Sequence, residues 1–301
     1  MARVLLIANP VAARHDDAIR HRVVEYLGRE GWQVEMAVTT GPGDARDLAA
    51  QGLASGVDAV AVFGGDGTTM QAAAAMVGTG VPLALIPGGT GNLLAGNLRI
   101  PTNPVRAARS LVRGHARVID LGRVVLPDGE HYFGVACGAG VDAEVMGGTP
   151  TASKRRWGIG AYFASTFRVL PTIRSSACTV SVDGVAFDFP AALVLIMNCG
   201  EMIPPFVRIR PEINPDDGLL DLVAVSADTP WEGIRGLLRV VFDGRREEIR
   251  ETPYLRYARG TRFTVECGGH LPVQFDGDPV GHTPFSAEVR PKALAVMVPK
   301  E

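Results

Sequence analysis

At 301 residues, with 47% hydrophobic and 21% charged side chains, the chain has the make-up of one large or two modest globular domains, which excludes a disordered or fibrous protein. A net charge of −2 gives no basis for binding nucleic acid, and any attraction to a membrane must come from a local patch. Four scattered cysteines, Cys137, Cys178, Cys199 and Cys267, form no CxxC pair and fit reduced thiols in a cytosolic protein better than a disulfide framework, while six histidines without ligand spacing argue against a zinc site.

The start, Met1 to Ile7, enters a strand at once and is too short and wrongly flanked for a signal peptide. The spacing predicts strands over 3–8, 34–39, 58–63 and 83–86 and helices over 16–29, 44–55 and 68–77. Asn103 as N-cap and Pro104 at the first helical position open a further helix to about Arg113. Residues 67–98 carry no charge, but Gly, Pro, Thr and Asn interrupt them too often for a membrane span. Strand–helix alternation of this kind predicts a parallel sheet with helices on both faces. Ligands of such sheets sit beyond the carboxyl ends of the strands, where Asn9-Pro10, Thr39-Thr40, Gly64–Thr68 and Gly88–Asn92 all fall.

Two of those loops carry chemistry. In Val60-Ala61-Val62-Phe63-Gly64-Gly65-Asp66-Gly67-Thr68-Thr69 a buried strand runs into a glycine turn and a helix start. Gly64, Gly65 and Gly67 allow positive φ and leave no Cβ before a ligand, so the amides there suit an anion. Asp66 beside a phosphate calls for a divalent cation, and Thr68 can cap the helix or contact phosphate. The bland alternative is a glycine-rich turn. Pro87-Gly88-Gly89-Thr90-Gly91-Asn92-Leu93 repeats the pattern, with a hydroxyl and an amide on a permissive backbone.

After about Asp120 the texture changes. Strands are predicted over 117–126, 132–137, 177–182, 191–198, 219–225, 263–266, 273–275, 285–289 and 294–298, with a helix over 154–168 and another from Pro230 to about Gly244, capped by Thr229 or Asp228. Many strands and few helices suggest an antiparallel sandwich or barrel-like second domain, with domains at 1–120 and 121–301.

The two glycine loops and Asn9-Pro10, followed by Pro215-Asp216-Asp217-Gly218-Leu219-Leu220-Asp221 and Val273-Gln274-Phe275-Asp276-Gly277-Asp278-Pro279, resemble the diacylglycerol kinase catalytic family, which includes sphingosine and ceramide kinases. The GGDGT element alone is shared with NAD kinases; all four elements in this order are far more specific. The resemblance implies an α/β Rossmann-like nucleotide domain, an antiparallel β-sandwich lipid-substrate domain, and an active site in the cleft between them where ATP meets a lipid hydroxyl. It implies that Gly64, Gly65, Gly67 and Gly89 cradle phosphate, that Asn9, Thr40, Thr68, Thr90 and Asn92 contact the nucleotide, and that Asp66 holds the catalytic Mg²⁺ directly or through water. Asp278 stands at the position of the family's glutamate base, one methylene shorter, with Asp66 as the competing candidate. Asn214, Asp217 and Leu219 match the ligands of a second, structural Mg²⁺.

Two further departures are Val11-Ala12-Ala13-Arg14, where relatives continue with Ser-Gly, and Leu93, where many have Asp. Lipid contact is expected at Lys154-Arg155-Arg156-Trp157 with Ile159, Tyr162 and Phe163, or at the Pro-rich loop 202–207 flanked by Arg208 and Arg210; either segment could instead simply pack in the fold. The expected activity is ATP-dependent phosphorylation of a lipid alcohol, diacylglycerol by default, by a cytoplasmic protein peripheral at the inner face of the membrane, with a homodimer allowed. The alternatives are an NAD kinase-like enzyme with a soluble acceptor and a catalytically silent nucleotide- or lipid-binding module.

Overall fold

The computed structural model describes residues 1–12, 16–126, 129–140, 174–203, 207–209, 212–229, 231–233, 235 and 252–300. The chain divides into two units, Met1–Ile119 with Lys292–Glu301, and Asp120–Pro291.

In the first unit β1 (Ala2–Ala8), α1 (Asp17–Arg29), β2 (Trp32–Val38), α2 (Asp44–Ala54), β3 (Ala59–Gly64), α3 (Asp66–Met76), β4 (Leu83–Pro87), α4 (Leu93–Asn97) and α5 (Pro104–Arg113) follow in chain order. The strands pair in parallel in the order β2-β1-β3-β4. All of β3 and β4 is buried, as parallel strands covered on both faces should be, whereas the edge strand β2 alternates and leaves Met36 and Val38 exposed. The helix ends follow their capping residues: Asp16 accepts from the Ala18 amide at 2.8 Å, and Asn103 accepts from Arg106 at 3.1 Å ahead of Pro104. Val4, Leu6, Val23, Leu27, Phe63 and Ile86 make the core between the sheet and its helices.

The strand β5 (His115–Leu126) leads into the second unit, which contains β6 (Gly129–Phe133), β7 (Ala136–Gly140), β8 (Ser176–Val182), β9 (Val185–Ala191), β10 (Leu193–Met197), β11 (Glu201–Ile203), β12 (Val207–Arg208), β13 (Leu220–Val225), β14 (Leu255–Gly260), β15 (Arg262–Cys267), β16 (Pro272–Phe275), β17 (Asp278–His282) and most of β18 (Phe285–Val298). One antiparallel sheet runs β14-β13-β10-β7-β16-β17. Facing it across a shared core of Phe133, Val180, Ile196, Leu222, Phe263 and Phe285 are the antiparallel strands β18-β15-β8-β9. The result is the expected sandwich. The last residues of β18 return to the first unit, where Val296 pairs with Leu83 and Ala293 O accepts from the Gly78 amide at 2.9 Å.

Four expectations need correction. The strand expected over 132–137 is two strands, because the amides of Gly134, Val135 and Ala136 donate to the Asp276 carboxylate and not to a ladder. The strands expected over 285–289 and 294–298 are one, running through Pro291 with a kink where Lys292 takes φ +51°. Strand β9 follows a hairpin turn at Asp183-Gly184 and was not expected. The cysteines are not all reduced: Cys178 and Cys267, 89 residues apart, face each other in the β8–β15 register and form a disulfide, while Cys137 and Cys199 remain buried thiols. Thr229 caps a helical turn at residues 231–233, accepting from the Glu232 amide at 3.3 Å. The rest of that expected helix lies outside the described residues apart from residue 235, as does all of the one expected over 154–168.

Candidate active site

The four loops expected to meet at the carboxyl edge of the parallel sheet do meet there. Asn9 follows β1, and its amide donates to Phe63 O at 3.0 Å; its side-chain Nδ2 donates to Thr68 Oγ1 at 2.8 Å, while Oδ1 accepts from Val11 at 3.0 Å. Thr68 therefore does not cap α3. The N-cap is Gly65, with no side-chain cap bond, and Thr68 lies buried in the first turn with its hydroxyl tied to Asn9. Helix α3 opens with Asp66, and its first-turn amides lack intrahelical partners by the geometry of any helix start. Gly67 sits half-buried in that turn.

The glycines are there for close approach and not, as expected, for positive φ. None of Gly64, Gly65, Gly88, Gly89 and Gly91 is left-handed. A Cβ on Gly89 would come within 2.6 Å of Gly65 Cα, and one on Gly88 within 3.3 Å of Gly64 Cα. The amides of Gly88 and Gly89 donate to Gly64 O at 2.8 and 3.2 Å. The two glycine loops are thus packed backbone on backbone, a contact that a side chain on Gly89 would prevent.

Asn92, at φ +49°, folds the second loop on itself: Oδ1 accepts from the Gly89 amide at 3.0 Å and Nδ2 donates to Gly89 O at 2.7 Å. Thr90 stands exposed at its tip. Between the loops, Asp66 Oδ1 accepts from the Leu93 amide at 2.7 Å. The other oxygen, Oδ2, faces Gly91, where a Cβ would lie 2.9 Å away. A carboxylate in the first turn of a helix, beside a glycine without a side chain, is the kind of hard oxygen donor that a divalent cation takes, directly or through water. A small pocket opens here, lined by Gly64, Gly65, Asp66, Pro87 and Asn92.

Thr40 follows β2, and its amide, its hydroxyl and the Gly41 amide all donate to Asp44 Oδ2, at 2.6, 2.6 and 2.9 Å. Those bonds, the hydroxyl's first, hold the Asp44 carboxyl below its ordinary range.

In the second unit, Asp278 begins β17, exposed, opposite Phe275 across a two-residue turn of Asp276 at φ +47° and Gly277 at φ +95°. Two positive φ values in succession are the type I′ geometry that Asp-Gly favours. Burial pushes the Asp276 carboxyl up to about 6, with the Asp278 charge adding to the rise and the amides of Ala136, Gly134 and Val135 opposing it.

The loop before β13 was expected to hold a second ion on Asn214, Asp217 and Leu219. Its carboxylate is already engaged: Asp217 Oδ1 accepts from the Leu219 amide at 3.0 Å and Oδ2 is ion-paired with Arg259. Asn214 Nδ2 donates to Glu212 O at 3.1 Å. Arg259 Nε also lies 3.7 Å from Asp221, which accepts from the Tyr257 hydroxyl. Arg259 thus stands beside the one carboxylate of the expected ion site, whose other two expected ligands are the backbone carbonyls of Asn214 and Leu219. Among the described residues no cluster of three or more His, Cys, Asp or Glu side chains is placed to hold a metal.

Sequence reasoning missed Arg259, because its relation to Asp221 is a β13–β14 register that no local pattern announces. It also missed Asp120, whose buried carboxylate accepts from the Gly218 amide at 2.7 Å. Residues 13–14, the basic-aromatic run 154–163, and residues 204–206 and 210 of the Pro-rich loop lie outside the described residues. Among the described residues no helix is long and apolar enough to cross a membrane.

Comparison with known proteins agrees with this fold. The diacylglycerol kinase catalytic domain model matches residues 3–124, and the YegS C-terminal NAD kinase beta sandwich-like domain model matches residues 135–298. A diacylglycerol kinase of Mycobacterium tuberculosis (strain ATCC 25618 / H37Rv) is 32% identical over 100% of this chain and 96% of its own length. A diacylglycerol kinase of Bacillus subtilis (strain 168) is 26% identical over 100% and 98%. A protein of Pectobacterium atrosepticum described as lipid kinase YegS-like is 26% identical over 99% and 96%. A solved structure from Bacillus anthracis str. Sterne, described as a candidate diacylglycerol kinase, superposes with a TM-score of 0.81 at 26% identity, covering 98% of this chain and 96% of that one. With its two halves matched in order and its full length aligned, the chain belongs to the diacylglycerol kinase catalytic family and is a lipid kinase.

Proposed function

We propose that this lipid kinase transfers the γ-phosphate of ATP to the free hydroxyl of diacylglycerol, giving phosphatidic acid. The observation that carries the nucleotide part is the contact of Gly65 with Gly89, which gathers two glycine loops and the start of α3 around Asp66. Backbone amides at a helix start attract phosphate oxygens through both hydrogen bonding and the helix dipole. Phosphoryl transfer asks a protein mainly for positioning and charge neutralisation, and this cradle supplies both. Mg²⁺ on Asp66 would draw charge from the triphosphate. Asn9 and Thr68 brace the first loop from below, and Asn92 braces the second. Gly64, Gly67 and Thr90 face the nucleotide in this reading, and Thr40 lies at its margin.

Asp278 is the proposed base that takes the proton from the attacking hydroxyl. The choice of diacylglycerol is supported by the relatives named for it, which align over this chain's full length. The substrate is membrane-bound, so the enzyme would work from the water side as a peripheral protein of the cytoplasmic face.

The test is transfer of radiolabelled phosphate from ATP to a panel of lipid alcohols in mixed micelles. Diacylglycerol should be labelled in preference to monoacylglycerol, sphingoid bases and ceramide; Asp66→Ala should abolish labelling, and Asp278→Asn should lower it about 10²–10⁴-fold to a measurable residual rate. Preferential labelling of another alcohol would overturn the acceptor. Full activity in both variants would overturn the assigned roles.

A further inference from the structure

Asp278 has a stem of one carbon, so the position of its carboxylate is set almost wholly by the backbone that carries it. That backbone is held with unusual completeness. An Asp-Gly hairpin needs nothing beyond its own two residues to form. Here the Asp276 carboxylate reaches out of the turn to a different strand: Oδ2 accepts from Gly134 at 2.7 Å, and Oδ1 accepts from Val135 at 2.8 Å and Ala136 at 2.9 Å. The Asp276 amide donates to Ala136 O at 2.9 Å, so the same residue grips that segment in both directions. The Gly277 amide donates to Gln274 Oε1 at 2.6 Å, and Gln274 is only 1% exposed.

The segment being gripped is itself fixed. The amides of Asn198 and Cys199 donate to Val135 O at 2.8 and 3.2 Å. The Asn198 side chain, fully buried, donates to Gly134 O at 3.0 Å and to Asp120 O at 2.9 Å. Asp120 in turn accepts from Gly218 in the loop that leads into β13. A chain of hydrogen bonds therefore runs from that loop, through Asn198 and the 134–136 segment, to the turn that presents Asp278. Regular pairing is given up to make it, since the two amides between β6 and β7 and the first amide of β7 are taken by one side chain.

We propose that Asp276 is a positioning residue for phosphoryl transfer: its carboxylate pins the Asp276-Gly277 turn to residues 134–136 and so fixes where Asp278 meets the acceptor hydroxyl. The proposal rests on the reading of Asp278 as the base. It makes the catalytic effect of Asp276 depend on Asp278, which a purely structural role would not.

The experiment is a double-mutant cycle with Asp276→Asn and Asp278→Asn, followed by phosphate transfer to diacylglycerol and by thermal melting. Asparagine keeps the shape of the side chain but cannot accept at both oxygens, so at least one of the three amides loses its partner. A displacement of about 1 Å at a reacting group lowers rate on the order of 100-fold. Asp276→Asn is therefore expected to lower kcat on the order of 100-fold with the KM for ATP unchanged, and to add nothing in the Asp278→Asn background. Losses that multiply in the double variant, or a raised KM for ATP with kcat intact, would overturn the positioning role. Full activity of Asp278→Asn alone would instead overturn the base assignment beneath it. Should Asp276→Asn fail to melt cooperatively, Gln274→Met, which removes the acceptor for Gly277, enters the same cycle with the same expectation.

Discussion

Gly65 and Gly89 look alike in the sequence and differ in what surrounds them. A Cβ on Gly89 would press into Gly65 Cα at 2.6 Å, whereas one on Gly65 would sit 3.4 Å from Gly89 Cα, close to ordinary contact. Neither residue is left-handed, so the difference is one of space alone. Gly89→Ala is expected to cost about 1–3 kcal/mol, the usual range for overpacking, because the obstacle is backbone and cannot rotate away. Gly65→Ala should cost less than half as much. Denaturant melts of the two variants side by side check this, and equal losses would mean that the loops yield more easily than their spacing implies. At this scale the sequence was informative about which residues matter and silent about why. It marked the two loops and Asp66 from glycine content after a buried strand, but the reason for the glycines, one loop resting on the other, is a contact between positions 24 residues apart.

Among the elements, the β8–β15 pair carries the one covalent tie found between described strands. Cys178 and Cys267 are opposite each other in the register, and their bond closes a loop of 89 residues. Bridges over loops of this length stabilise by about 2–4 kcal/mol where the fold tolerates them. Reduction with dithiothreitol is expected to lower the stability of the second unit by that amount. Thiol titration of the denatured protein should read two groups before reduction and four after; four before reduction would show that the bridge is absent. Cysteine spacing could not announce it, because the pairing depends on two strands meeting in one register.

Other elements were legible to different degrees. Asn103-Pro104 fixed the start of α5 to the residue, since both the cap and the locked φ act locally. Asp183-Gly184 between Val182 and Val185 carried an equally local hairpin signal that would have found β9. The break between β6 and β7 could not be seen, since its cause is the Asp276 carboxylate arriving from 140 residues or more away.

At the scale of the whole molecule, the division into a nucleotide-type α/β unit and a sandwich followed from the change of texture near Asp120, where strand–helix alternation stops. The return of the C-terminus did not, because Pro291 interrupts the pattern and β18 reads as two pieces. Its last stretch buries Ala293, Leu294, Val296 and Val298 in the first unit. Each large apolar side chain buried there contributes roughly 1.5–3 kcal/mol, so three of them rival the whole stability of an ordinary domain. A chain ending at Pro291 is expected to lose the first unit's protection from protease while the second keeps its own. Limited proteolysis with mass spectrometry reads this directly, and unchanged protection of residues 1–119 would count against it.

That returning strand also sets an order in time. The parallel sheet takes its fifth strand, at Val296 beside Leu83, from beyond the whole of Asp120–Pro291 in sequence. Closing that sheet means closing a loop across the second unit, a cost in chain entropy that is smaller once the sandwich has folded and drawn its two ends together, so the α/β unit is completed after the sandwich.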